Sequence, residues 1–171
     1  MSVITVERDI AAAPERVWDI ITDLERTAEV IRAITALERT DGGGDFRVGT
    51  AWRETRVMFG REATEAMAVS ALDEGRSYTV ESHSRGVLYR SLMRVEPSAG
   101  GCRLTWEFGA EPQSISGRLM SLLGRFFEGA TRKALQADLD DIAAAAEADA
   151  AEAGAAEGAT KPDPQPIRSP E

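Results

Sequence analysis

The sequence predicts an α+β fold, in which a curved antiparallel β-sheet of about six to seven strands wraps around a long C-terminal α-helix, with two short helices after the first strand. Three observations carry that expectation. Strand-length segments with one apolar face recur between turn signals from Gly49 onward. A proline-led helical pattern follows the first such segment. After Pro112 the chain changes to helical spacing, with apolar residues on more than one side. A sheet with one apolar face needs a cover, and the last segment supplies it.

The elements follow in order. Val3 to Ile10 alternates as a strand, with Ile4, Val6 and Ile10 offset against Glu7 and Asp9. Ala13-Pro14-Glu15-Arg16 then opens a helix, because a proline in the first turn sacrifices no hydrogen bond. Val17, Trp18, Ile20, Ile21 and Leu24 repeat at helical spacing and form its buried face. A second short helix over Leu24 to Val30 is expected, and Ile31 to Thr40 returns to an extended pattern that stops at Asp41-Gly42-Gly43-Gly44.

From Gly49 on, turn chemistry at Phe59-Gly60-Arg61, Asp73-Glu74-Gly75, Arg85-Gly86 and Pro97-Ser98-Ala99-Gly100-Gly101 divides an antiparallel meander. Tyr78, Val80 and Ser82 share one face; so do Tyr89, Ser91, Met93 and Val95, and likewise Leu104, Trp106 and Phe108.

Ile115 to about Ala146 reads as one helix, about 48 Å long and able to cross the whole sheet. Its first half should be the more enclosed, while Asp138, Asp140 and Asp141 mark a solvated side around Leu135, Leu139 and Ile142. Gly117, Gly124 and Gly129 favour a bend or a close backbone approach. Residues 1–146 are thus expected to form one domain. Residues 147–171 read as an Ala/Glu- and Pro-rich acidic tail, disordered beyond about Gly154.

Composition limits the function. The 171 residues are 43% hydrophobic and 29% charged, as in a globular chain with a core. Twenty basic against 29 acidic residues give −9 at pH 7, with no basic cluster, which argues against nucleic-acid binding. Cys102 is the single cysteine, so no intrachain disulfide or cysteine-based metal site is expected. The first residues lack a signal-peptide pattern and no apolar run is long enough to span a bilayer, so a cytoplasmic protein without stable membrane insertion is expected.

The segment Pro14-Glu15-Arg16-Val17-Trp18-Asp19-Ile20-Ile21-Thr22-Asp23 and the Val48-Gly49-Thr50 opening of the third strand carry a resemblance. Over about residues 1 to 145 the chain resembles the START-like (SRPBCC) superfamily, in its polyketide cyclase/dehydrase and lipid-transport branch. The resemblance implies the helix-grip fold, also called Bet v 1-like or START-like, with a cavity for a small hydrophobic molecule. It does not fix the activity, because carriers, cyclases and co-chaperone modules share the scaffold.

The candidate cavity walls on the inward face are Trp52, Met58, Met67, Tyr78, Tyr89, Met93, Trp106, Phe108, Met120, Leu123, Phe126 and Phe127. A filled core is the alternative for the same stripes. Strand residues Thr50 to Phe59 have two mixed phases. The one containing Trp52 and Met58 also turns Glu54 and Arg56 inward as an ion pair, and Glu65 shares a phase with Met67. The alternative places Glu54, Arg56 and Glu65 at a strand end or on the solvated surface.

His83, the single histidine, alternates with the apolar residues of its strand and is expected on the wet side. No metal motif, phosphate loop or nucleophile elbow occurs, so no metal or cofactor is expected. Binding of a lipid, polyketide or aromatic metabolite is the leading expectation, and a polyketide aromatase/cyclase or dehydratase-like enzyme the alternative. Whether the protein is an enzyme, and which residues would be catalytic, stays open. A protein partner docking on the tail is the weakest reading, since such tails are usually solvated extensions.

Overall fold

A computed structural model describes residues 2–58, 60–113 and 128–159. The chain runs β1 (Ser2–Ile10), α1 (Pro14–Thr22), α2 (Leu24–Val30), β2 (Ile34–Arg39), β3 (Ala51–Met58), β4 (Arg61–Asp73), β5 (Ser77–Ser84), β6 (Val87–Ser98), β7 (Gly101–Pro112) and α3 (Glu128–Ala159). The strands form one antiparallel seven-stranded sheet in the order β1-β7-β6-β5-β4-β3-β2. β1 and β2 are therefore opposite edges, and α1 and α2 carry the chain between them. With α3 packed on β1, α1 and α2, this is the helix-grip fold.

Local chemistry explains the punctuation. Pro14 starts α1, whose buried face is Val17, Trp18, Ile20 and Ile21. Asp23 ends α1 and caps α2, its Oδ1 accepting from the backbone N–H groups of Glu25 and Arg26 at 3.1 Å each. Arg85 and Gly86, at φ of 50° and 75°, make the tight link between β5 and β6. At the start of β3, Gly49 has a φ of 92° and donates to the Val69 carbonyl, while the buried Thr50 hydroxyl accepts from the Arg47 N–H at 3.0 Å. The Val-Gly-Thr segment thus pins the β2–β3 connection onto β4.

The core lies where α1, α2 and α3 meet the inner sheet face, built on Ile10, Val17, Ile20, Ile21, Leu104, Leu139 and Ile142. Burying each large aliphatic side chain contributes about 1.5–3 kcal/mol before entropy is counted.

Two expectations need revision. Helix α3 continues past position 146 to Ala159, because alanine and glutamate favour helix and because the segment is anchored. The Glu147 carboxylate accepts from the Ala11 N–H at 3.0 Å, and Asp149 pairs with Arg26. Asp138 is not on a solvated side: it is 2% exposed and points at the sheet, where a cation offsets its burial. The expected helix from Ile115 to position 127, with its glycines at 117 and 124, lies outside the described residues.

Candidate functional site

The inner sheet face can be followed row by row through the strand register. Tyr78, Met93, Trp106 and Val6 form one row across β5, β6, β7 and β1; Val69, Val80, Ser91, Phe108 and Ile4 form the next. Beyond them lies Trp52, Met67, Ser82 and Tyr89, then Glu54 opposite Glu65. The phase of β3 is the inward one for Trp52, Glu54 and Arg56.

Arg56 joins the sheet to the helix. Its Nε donates to Glu54 Oε1 at 2.8 Å, and its Nη1 donates to Asp138 Oδ2 at 3.0 Å. Trp52 Nε1 points at Glu54 Oε2 from 3.4 Å. The Arg56, Glu54 and Asp138 side chains are only 14%, 8% and 3% exposed. Burial opposes the Arg56 charge, yet the carboxylates of Glu54 and Asp138 outweigh it and raise its pKa. Burial also raises the Asp138 carboxyl above the ordinary range; Arg56 pulls it down, and the charges of Glu54 and Asp141 push it further up. Such a carboxyl is suited to holding and passing a proton.

The expected wall residues divide into two groups. Tyr78 and Met93 belong to the closed, core end: the Tyr78 hydroxyl donates to the Ile21 carbonyl at 3.0 Å, and its ring meets Trp18 and Phe46 edge-on at 6.0 and 5.0 Å. Burial and the Glu54 charge push its hydroxyl pKa up.

Met67, Tyr89, Trp106 and Phe108 form the other group and are only partly buried. Tyr89 and Phe108 stack at 5.9 Å, and burial followed by the Glu65 charge raises the Tyr89 pKa. Glu65 is half-buried and accepts from the Ser84 hydroxyl at 3.1 Å. Ser82 Oγ and Trp106 Nε1 are buried without hydrogen-bond partners. The side chain of Met58 and the residues Met120, Leu123, Phe126 and Phe127 lie outside the described residues.

Sequence reasoning missed Asp138 as a site residue. A signal was present, since Asp138 falls between the buried Leu135, Leu139 and Ile142, but the aspartates at 140 and 141 masked it. His83 is exposed, as alternation required. Cys102 is fully buried, and burial raises its thiol pKa, which leaves no accessible thiolate. Among the described residues no cluster of His, Cys, Asp and Glu could hold a metal ion, and no helix is long and apolar enough to cross a membrane.

A surface cleft of about 660 Å³ between β1 and α3 is lined by residues such as Thr5, Glu7, Arg132 and Gln136 and by none of the triad. There Arg132 Nη1 donates to the Thr5 carbonyl at 2.6 Å and Gln136 Nε2 to that of Glu7 at 3.4 Å.

Comparison with known proteins agrees with this architecture. The crystal structure of TTHA0849 from Thermus thermophilus aligns at a TM-score of 0.62 and 21% identity, covering 84% of this chain and 99% of that one. Truncated norcoclaurine synthase from Thalictrum flavum aligns at 0.62 and 20% identity, over 83% of this chain and 91% of that one. The di-domain ARO/CYC StfQ from the steffimycin biosynthetic pathway aligns at 0.67 and 14% identity, over 89% of this chain and 52% of that one. At these identities the shared property is the fold. No curated protein sequence matches the chain significantly. The family model described as polyketide cyclase / dehydrase and lipid transport matches residues 1–147. The chain belongs to that family.

Proposed function

We infer that the protein binds a small hydrophobic ligand at the partly covered end of the inner sheet face, as a carrier or sequestering protein. One observation carries the reading. Met67, Tyr89, Trp106 and Phe108 remain half-buried there, while Ser82 Oγ and Trp106 Nε1 on the same face lack hydrogen-bond partners. Buried polar atoms are almost always partnered, and leaving one unmet costs about 1–3 kcal/mol. An apolar wall with a few unsatisfied polar groups is what a small-molecule site requires.

The test is native mass spectrometry of the purified protein, followed by denaturing extraction. A co-purified apolar molecule near one per chain is expected. A ligand-free mass that stays unchanged with fatty acids, polycyclic aromatics and aromatic amines would overturn the reading.

A second reading, cyclisation or dehydration of a flexible polyketone, is favoured by the Glu54–Arg56–Asp138 triad. Arg56 would orient carbonyl oxygens, and Asp138, with its raised pKa, would move protons during ring closure and water loss. Turnover of a model poly-β-ketone that is lost in Asp138→Asn would select this reading over simple carriage; identical product profiles with and without protein would remove it.

A further inference from the structure

This inference rests on the ligand-binding reading above and concerns the charge of the ligand. Most charged residues of the inner phase can be paired off. At the rims, Arg39 pairs with Asp41 at 2.6 Å and Arg8 with Asp140 at 3.5 Å. Among the described residues in the middle, one guanidinium, Arg56, stands against three carboxylates: Glu54 and Asp138, which it bonds, and Glu65, which sits directly opposite Glu54 across β3 and β4. With all three carboxyls ionised, one positive charge against three negative leaves a net −2 among these described residues. Like charges directly opposite each other on neighbouring strands destabilise a sheet. Among the described residues, the Ser84 hydroxyl is the one hydrogen-bonding partner of Glu65, and no lysine or arginine pairs with it. Most of its acceptor capacity is therefore unused.

A second observation is independent of the carboxylates. Ser82 is 8% exposed, lies on the same face two residues before Ser84, and has Met67 and Tyr89 as its cross-strand neighbours. Its hydroxyl oxygen has no partner and offers two lone pairs. Beside it stand the stacked rings of Tyr89 and Phe108, and aromatic faces attract cations. The exposed Arg85, at the tip of the β5–β6 hairpin, lowers the Tyr89 pKa against burial and Glu65, but forms no ion pair with Glu65.

We propose that Glu65, Ser82 and the Tyr89–Phe108 pair form a subsite for the protonated amine of an amphipathic ligand. Its ammonium N–H groups donate to the Glu65 carboxylate and the Ser82 hydroxyl, and its apolar body extends along Met67 and Phe108. Binding one cation brings the central charge from −2 to −1. Anionic amphiphiles such as fatty acids are disfavoured by the same charge count.

The full-length protein is titrated at pH 7 with three probes of one shape, 1-naphthylmethylamine, 1-naphthalenemethanol and 1-naphthoate, followed by quenching of tryptophan fluorescence. The amine is expected to bind about tenfold tighter than the alcohol, with naphthoate weakest. In Glu65→Gln, which keeps an acceptor for Ser84, the amine-to-alcohol ratio should fall to near one. An alcohol that equals the amine, or a naphthoate that binds tightest, overturns the amine subsite and leaves the ligand-binding reading standing. If no probe binds and the native mass is ligand-free, both fall. The ranking on the unaltered protein decides the point even if the variant does not fold.

Discussion

At the scale of single residues, Arg56 is the side chain whose replacement should reveal most about the site. It neutralises two buried carboxylates from elements far apart in sequence, Glu54 on β3 and Asp138 on α3. Arg56→Met leaves both acids facing each other in a dry setting and should cost about 3–5 kcal/mol, the usual penalty for stranding a buried charge. Asp138→Asn keeps the Arg56–Glu54 pair and removes one buried acid, and should cost only about 1 kcal/mol. Urea denaturation of the two variants measures the difference; equal losses would mean that packing, and not charge balance, sets the stability here. This is also where the sequence was least legible. Both phases of β3 mix polar and apolar residues, so alternation could not decide which face Glu54 and Arg56 took. What decides it is a partner 82 positions away in sequence, and no local pattern reports such a contact.

At the scale of elements, the meander was legible because each turn carries its own chemistry and each strand its own alternation. Arg85-Gly86 and Gly100-Gly101 sit where the chain reverses, and the buried positions of β5 and of β6 each fall on one phase. Gly101 is a stringent case. At φ of 144° it would place a Cβ 2.2 Å from the Ile10 carbonyl oxygen and 2.8 Å from the Ala12 backbone, and backbone atoms cannot move aside cheaply. Gly101→Ala should therefore cost about 3 kcal/mol, whereas Gly100→Ala, with open space around it, should stay within about 0.5 kcal/mol. Thermal melts of the pair test this, and a tolerated Gly101→Ala would show that the β1–α1 corner can shift. The edge of β1 depends on α3 in a similar way, since Arg132 and Gln136 occupy carbonyls that would otherwise face solvent or another strand. Replacing both by alanine should cost about 1 kcal/mol and raise amide exchange in β1 while leaving β3 and β4 unchanged. Exchange that rises uniformly would indicate general loosening instead.

At the scale of the whole molecule, the dependence of stability on pH combines groups of opposite sign. Asp41 is held down to about 2, first by its hydrogen bond from Arg39 and then by the Gly43 N–H, with burial working the other way. A depressed carboxyl stabilises the fold above its unfolded value of 3.8, and that contribution is lost as pH falls through about 2. Asp9, lowered chiefly by its hydrogen bond from Arg103, acts in the same direction. Asp138 is raised by burial, so its contribution is fully present below 3.8 and is lost as pH rises through its folded value. Acid unfolding should thus be driven by the rim carboxylates, with Asp138 opposing it. Melting temperatures measured from pH 7 down to pH 2 should separate the two kinds of group. The deficit of Asp41→Asn relative to the unaltered protein should be largest at pH 7 and shrink as pH falls below about 4. The deficit of Asp138→Asn should instead be smallest at pH 7 and grow towards low pH, because only the unaltered protein loses the burial penalty on protonation. A deficit of Asp138→Asn that does not change with pH would mean that Asp138 titrates as an ordinary surface carboxyl, and one that shrinks in parallel with Asp41→Asn would mean that its pKa is depressed; with either result its assignment as a proton-holding group inside the grip would fail.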